Sequence, residues 1–240
     1  MDYQLIYWPF LPGRGEFVRL VLEECAVAYD DVARRAGPDG SGLALVQRYM
    51  SGEEGVVFAP PVLVRGDFVL SQTAAICAHL GRRLGLAPQD ERPRLRALEL
   101  MLTVMDVVDE FHHLHHPVAP ELTYEAQKET AIQASRIYRE ERLARRLGFF
   151  ERVLTANDGD YLAGDALTYV DLALFQLLEG VAYALPNALA RIASAMPRLC
   201  ALRDNVRARP RIEAYLSSER RMAFNEMGIF RHYQELDDPR

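Results

Sequence analysis

The chain is nearly without lysine: Lys128 is the only one, and arginine supplies the rest of the 28 basic residues. Any acidic ligand must therefore be held almost without ammonium groups. Acidic residues outnumber basic ones, 34 to 28, for a formal net charge of −6. That balance argues against nucleic acid as a partner, since phosphate backbones select basic surfaces. It leaves room for a local anion pocket. Cysteine is scarce as well. Cys25, Cys77 and Cys200 are odd in number, far apart and each inside an apolar helical pattern, which excludes a disulfide framework and points to reduced thiols. No apolar run approaches the ~20 residues of a membrane span. The opening MDYQLIYW has an acid at position 2 and no basic stretch, so it does not read as a secretory leader. These absences predict a soluble, cytoplasmic protein.

What is present has two grammars. With 50% hydrophobic residues, 240 positions suffice for one or two packed domains. Strand signals fall at Gln4–Trp8, Tyr29–Ala33, Val62–Arg65 and Phe68–Leu70, the last two flanking the hairpin signal Gly66-Asp67. Helical patterns run through Arg14–Cys25 and Gln72–Leu80, the second closed by Gly81. Asp39–Gly42 and Ser51–Gly55 read as loops. From Pro93 the strand signals stop. Leu95, Leu98, Leu102, Met105 and Val108 recur at helical spacing, so Pro93–His113 reads as one long helix. Further helices are predicted within Tyr124–Leu154 and over Tyr169–Ala184, Pro197–Arg207 and Arg211–Leu216. The predicted organisation is an α/β domain over 1–85, a linker near Leu86–Arg92, an all-helical domain over 92–220 and a tail over 221–240.

Three stretches carry chemistry. Gln4–Trp8 brings Tyr7 to the end of the first strand, followed by a loop stiffened by Pro9 and Pro12. Ala59-Pro60-Pro61 precedes the hairpin, where a proline must sit at an edge, at a strand start or in a cis peptide. Ser71-Gln72-Thr73 opens a helix with Ser71 as the expected N-cap, and first-turn amides are natural partners for a carboxylate. In the second half, Thr168 and Asp171 have the spacing of a reciprocal helix cap, a folding role. His112, His113, His115 and His116 lack a cysteine or carboxylate pair at ligand spacing and close a helix before Pro117, so no metal is expected there.

In this order the motifs resemble the cytosolic glutathione transferases of the tyrosine type, with a sigma-, mu- or pi-like N-terminal segment. Tyr7-Trp8-Pro9 with Gly13-Arg14-Gly15-Glu16 and Arg19, Pro61-Val62-Leu63 with Gln72-Thr73, Gly164 to Asp171, and Arg209-Pro210-Arg211-Ile212 with Tyr215-Leu216 carry the likeness. The resemblance implies a thioredoxin-like domain followed by an all-helical domain, in a homodimer. It implies glutathione as co-substrate, no metal, and Tyr7 as the hydroxyl that lowers the pKa of the glutathione sulfur. Arg14, Pro60, Pro61, Gln72 and Thr73 would hold glutathione, with Glu110 reaching the copy bound to the other subunit. Phe10, Leu11 and His113 would line an apolar pocket for a hydrophobic electrophile.

Two departures from the family pattern stand out. Pro60 occupies the position whose N–H and C=O usually both bind the peptide, and proline has no N–H. The lysine that often clamps the glycyl carboxylate is absent, leaving Arg48, or Arg34 and Arg35, to serve. The same motifs also suit a transferase-like binding or regulatory protein with little turnover, or a glutathione-dependent isomerase. The tail Met222–Tyr233 is expected to pack on the helical domain or to fold over the cleft.

Overall fold

The computed structural model describes residues 2–35, 41–157 and 159–238. β1 (Tyr3–Ile6) runs parallel to β2 (Tyr29–Asp31) and antiparallel to β3 (Val62–Arg65), which turns back into β4 (Phe68–Ser71). The resulting sheet has the order β2-β1-β3-β4. The hairpin turns at Gly66-Asp67 as predicted, with Gly66 at φ +65°. β1 ends two residues before the predicted Trp8. Its register pairs Ile6 with Val62, and the next partner would be Pro61, which cannot donate to the ladder. Tyr7 and Trp8 therefore lie beyond the sheet.

α1 (Gly15–Glu24) follows the predicted span within one residue. β2 stops at Asp31 rather than Ala33, and the chain coils at once into α2 (Val32–Arg35). α3 (Ser41–Ser51) was not predicted. Val46 and Tyr49 on it are buried in a small core with Ile6, Val62 and Val64, and that packing outweighs the glycine at its start. Gly42 and Ser51, read as loop, belong to α3, whereas residues 39 and 40 of that predicted loop lie outside the described residues.

α4 (Thr73–Leu84) outlasts its predicted end at Gly81 by three residues. Gly81 is inside the helix because the Tyr169 ring packs on it: an added Cβ would lie 2.4 Å from that ring. Gly85, at φ +82°, makes the left-handed cap instead.

α5 (Glu91–His115) is the predicted long helix. After it come α6 (Lys128–Ile137), a π-helical turn over Tyr138–Arg142, α7 (Leu143–Asn157), α8 (Tyr169–Ala184), α9 (Pro186–Ala193), α10 (Pro197–Arg207) and α11 (Pro210–Leu216). α9 was not foreseen, while α8 and α10 match their predicted bounds. α5 buries Leu100, Val104, Val107, Phe111 and Leu114, but Leu95 and Leu102 of the predicted apolar stripe are 57% and 51% exposed. This helix is apolar on two faces, and periodicity alone does not say which one meets the core.

The main core is continuous across both halves, from Leu5 and Phe17 through Ile76 to Phe175, Tyr215 and Phe230. Tail residues after α11 pack on the helical part. Phe230 sits against Gly180 and Phe111, Ser135 Oγ donates to the Leu236 carbonyl at 2.6 Å, and the Asp237 carboxylate accepts the first amides of α9 from Asn187 and Ala188. No single helix among the described residues is long and apolar enough to cross a membrane.

Candidate active site

Tyr7 leaves β1 into a pocket made by backbone. It is 4% exposed, and its hydroxyl oxygen accepts the Arg14 N–H at 2.8 Å. The loop can come this close only because two positions lack a side chain. A Cβ on Gly13, at φ +42°, would lie 2.2 Å from the hydroxyl, and one on Gly15 would lie 2.6 Å from the ring. Glu16 N–H closes the turn by donating to the Pro12 carbonyl at 3.0 Å. Burial pushes the Tyr7 pKa up, against the Arg14 amide and the charges of Arg19 and Arg14, which pull it down. The phenol therefore keeps its proton at neutral pH.

Beneath the loop lies a buried ionic knot. Arg19, with no exposed side-chain surface, donates to Glu16 at 3.1 Å, to Asp31 at 2.7 Å and to the Pro12 carbonyl at 3.4 Å, and its guanidinium stands 5.9 Å from the Tyr7 ring centre. Glu16 also accepts from the Tyr215 hydroxyl and from Arg221, each at 2.5 Å. These donors hold the Glu16 carboxyl below its usual range despite complete burial.

A cleft of about 310 Å³ opens where α4 begins, lined by Arg14, Phe58, Pro60, Pro61, Gln72, Thr73, Leu102, Met105 and Asp109 among others. The Pro60-Pro61 peptide is cis. Ser71, the expected N-cap, instead ends β4, and Gln72 takes the cap position at φ 72°, ψ 116°. That conformation is strained for a side-chain-bearing residue. Thr73 is 2% exposed, and its hydroxyl oxygen has no hydrogen-bond partner. A strained residue thus stands beside an unsatisfied buried hydroxyl at the first turn of α4. Arg14 reaches across to α5, where it pairs with Asp109 and touches the Met105 sulfur at 3.6 Å.

Five of the residues selected from sequence therefore meet in one place: Arg14, Pro60, Pro61, Gln72 and Thr73. Others do not line this cleft, Tyr7 among them: it stays buried under the Gly13–Gly15 turn and adjoins the cleft through Arg14, whose N–H its oxygen accepts. Glu110 is held by Arg142 at 2.5 Å and Arg146 at 2.5 Å. Arg48 pairs with Glu53 and Glu54. Arg34 donates to the Arg220 carbonyl at 2.6 Å and Arg35 pairs with Asp30, and both border a separate groove beside α11. Phe10 is 41% exposed and Leu11 half-buried in the loop after Tyr7, and the exposed His113 donates to the Asp109 carbonyl at 2.8 Å. Sequence reasoning missed Met105 and Asp109. Their spacing of four, continued to His113, was the available signal, but Glu110 was selected from the sequence on this helix instead.

In the helical part, Asp171 is fully buried and accepts from Leu162 N–H at 2.8 Å and from Thr168 N–H and hydroxyl at 2.7 Å each. The predicted cap is present. The histidines gather at the end of α5. His115 donates through Nε2 to the Ile229 carbonyl at 2.8 Å while its Nδ1 has no partner, and burial holds its pKa down at about 3. No group of metal-ligating side chains occurs among the described residues.

Known proteins bear directly on this arrangement. Residues 112–219 match the family model described as glutathione S-transferase, C-terminal domain. The chain is 31% identical over 224 residues to glutathione S-transferase P 2 of Bufo bufo, covering 91% of this chain and 94% of that protein. It is 26% identical to a glutathione S-transferase of Plasmodium yoelii yoelii, over 88% of this chain and 92% of the relative. Among solved structures, the glutathione S-transferase from Ascaris lumbricoides superposes with a TM-score of 0.68 at 25% identity, covering 93% of this chain and 99% of that one. The four-stranded sheet followed by helices is thus a thioredoxin-like unit joined to an all-helical one. By sequence over 91% of its length and by fold, the chain belongs to the glutathione S-transferase family.

Proposed function

We propose that this glutathione transferase activates its co-substrate with Tyr7, whose hydroxyl donates a hydrogen bond to the glutathione sulfur. The observation that carries the reading is the hydroxyl's own geometry. Its oxygen is occupied by the Arg14 N–H at 2.8 Å, and burial keeps the phenol protonated, so the remaining function of the group is to donate. A donor favours thiolate over thiol, lowers the sulfur's pKa and raises the nucleophile's population at neutral pH. The thiolate then attacks an electrophilic carbon of the second substrate.

Glutathione lies in the cleft at the start of α4 in this reading. The γ-glutamyl carboxylate meets the Gln72–Thr73 turn and the unpartnered Thr73 hydroxyl, and the cysteinyl unit passes the cis Pro60-Pro61 peptide with Arg14 beside it. Pro60 offers only its carbonyl, so one backbone contact is given up. Glu110 and Arg48 would have to exchange their present ion pairs to touch the peptide. Phe10, Leu11 and His113 form the apolar side that receives the electrophile. A homodimer and a cytoplasmic location belong to the same reading. Leu95 and Phe58, 57% and 88% exposed, favour a partner surface, and three free cysteines favour a reducing compartment. Sedimentation as a monomer at micromolar concentration would remove the dimer.

Tyr7→Phe should lower conjugation of a model electrophile at pH 7 by about tenfold or more, with little change in glutathione affinity. Ultraviolet absorbance of bound thiolate against pH gives the second check: its pKa should be depressed on the wild type and return toward that of free glutathione on the variant. Unchanged turnover and an unchanged thiolate curve would take Tyr7 out of the mechanism. A wild type that binds glutathione without forming thiolate at neutral pH would instead favour a binding protein, a reading kept open by the amide that Pro60 lacks.

A further inference from the structure

Tyr7 sits in a loop of few internal bonds, and two residues of the tail grip that loop from outside. Arg221 donates to Glu16 at 2.5 Å and to the Gln176 side-chain oxygen at 3.0 Å, which fixes the chain just after the loop. Four residues later Asn225 donates through Nδ2 to the Phe10 carbonyl at 3.0 Å, which fixes the chain within the loop's outer limb. The contacts to Glu16 and Phe10 span 205 and 215 positions of sequence, and together they bracket the stretch that folds over the Tyr7 ring.

Asn225 is itself built into a rigid turn. Its Oδ1 accepts the Met227 N–H at 3.0 Å, and its carbonyl accepts the Gly228 N–H at 3.3 Å. On one side of the turn, Phe224 stacks on Tyr183 at 5.1 Å and meets Phe230 at 6.0 Å. Glu226 accepts from the Tyr183 hydroxyl at 2.8 Å and from the His232 N–H at 3.1 Å. The turn is therefore anchored on α8 of the helical part, and Asn225 projects from it to the loop. Phe10 and Met227, 41% and 58% exposed, flank the bridge as apolar surface.

We propose that Asn225 is a positioning residue: the tail turn over Asn225–Gly228 holds the loop that carries Tyr7 and frames the side from which the electrophile arrives. The inference rests on the catalytic reading of Tyr7 for its consequence in turnover, but not for the latch itself. With the bridge cut, the outer limb of the loop gains freedom. Glutathione still meets the cleft at α4, while the electrophile meets a looser wall. The loss should appear in the second substrate's KM and in kcat, not in glutathione binding.

The chain's one tryptophan, Trp8, adjoins Tyr7, and its ring centre is 6.3 Å from that of Phe10. Its fluorescence therefore reports on this loop without any substrate. Asn225→Asp is nearly isosteric, keeps the acceptor for Met227 N–H and removes the donor to Phe10. Asn225→Ala removes both. With each variant, acrylamide quenching and anisotropy of Trp8 would be recorded on the full chain without ligand, then the kinetics with two electrophiles of different size.

The expected result is easier quenching and lower anisotropy of Trp8 in both variants. It is accompanied by a loss of about two- to tenfold in kcat/KM for the electrophile, the range of one hydrogen bond's net worth, with glutathione affinity unchanged. Wild-type quenching and anisotropy in both folded variants would overturn the latch. A loss confined to glutathione affinity would overturn its placement on the electrophile side. If Tyr7→Phe left turnover intact while Asn225→Asp still loosened Trp8, the catalytic reading would fail and the latch would stand.

Discussion

Two helix starts in this chain use short polar sequences of similar appearance, and they end in opposite states. At α8, Asp171 receives three hydrogen bonds, two of them from backbone amides, and Thr168 sits at the cap in ordinary extended backbone. At α4, Gln72 is held at φ 72°, its side chain makes no cap bond, and the buried Thr73 hydroxyl has no partner. A start whose polar groups are all satisfied contributes to folding. One that is strained and unsatisfied costs stability in the empty protein and recovers it when a ligand arrives. The difference separates the two starts where residue types alone do not, and it is what the proposed glutathione cleft at α4 rests on.

The largest effect should come from emptying the satisfied start. Asp171→Ala orphans two buried amides and a hydroxyl, and chemical denaturation should read a loss of about 3 kcal/mol. A loss under about 1 kcal/mol would mean that water or a rearranged loop replaces the carboxylate, and the contrast between the two starts would weaken.

The pH dependence of the same group is the next test. Burial raises the Asp171 pKa from 3.8 to about 6, with the hydrogen bonds opposing. Between those values the native state binds a proton that the unfolded chain has released. This contribution to stability is therefore complete below pH 4 and is lost as pH rises toward 6, at up to about 1.4 kcal/mol per pH unit. The buried His115 works against it, since its folded pKa lies below the unfolded one and its contribution is lost as pH falls from about 6.5. The difference between wild type and Asp171→Asn across pH 4 to 6 isolates the aspartate. A flat difference would show that its hydrogen bonds balance its burial.

The smallest effect should come from relaxing the strained start. Gln72→Gly removes the penalty of a positive φ and should raise the stability of the empty protein by about 1 kcal/mol, less the entropy that glycine adds to the unfolded chain. Glutathione affinity should fall at the same time. Higher stability with undiminished affinity would show that the strain serves nothing in the cleft.

Legibility in the sequence followed the range of the interactions. The Gly66-Asp67 hairpin, the Thr168–Asp171 cap and the spans of α8 and α10 depend on neighbours within a few residues, and each was readable. Gly81 was misread as a helix end because its purpose is contact with Tyr169, 88 positions away in a chain whose sequence shows only a glycine after a helix. Asp109 was overlooked in favour of Glu110 because one residue along α5 turns a side chain by about 100 degrees. Which of the two faces Arg14 is decided by how α5 packs. α3 escaped notice because its helical state depends on burying Val46 and Tyr49 against β1 and β3.

By itself the sequence determined the order of the four strands and of the longer helices, the tyrosine at the end of the first strand, the cis-compatible prolines and the polar start of α4. These are local matters of φ restriction, periodicity and capping. Tertiary structure decided the rest. It closed Gly13 and Gly15 over Tyr7, took Arg34, Arg35 and Arg48 into ion pairs or carbonyl contacts away from the cleft, left Thr73 unsatisfied, and brought Asn225 to Phe10 across 215 positions. Each of those outcomes depends on which distant groups share a buried space, where an unmet hydrogen bond or a misplaced methyl costs as much as a local preference can supply.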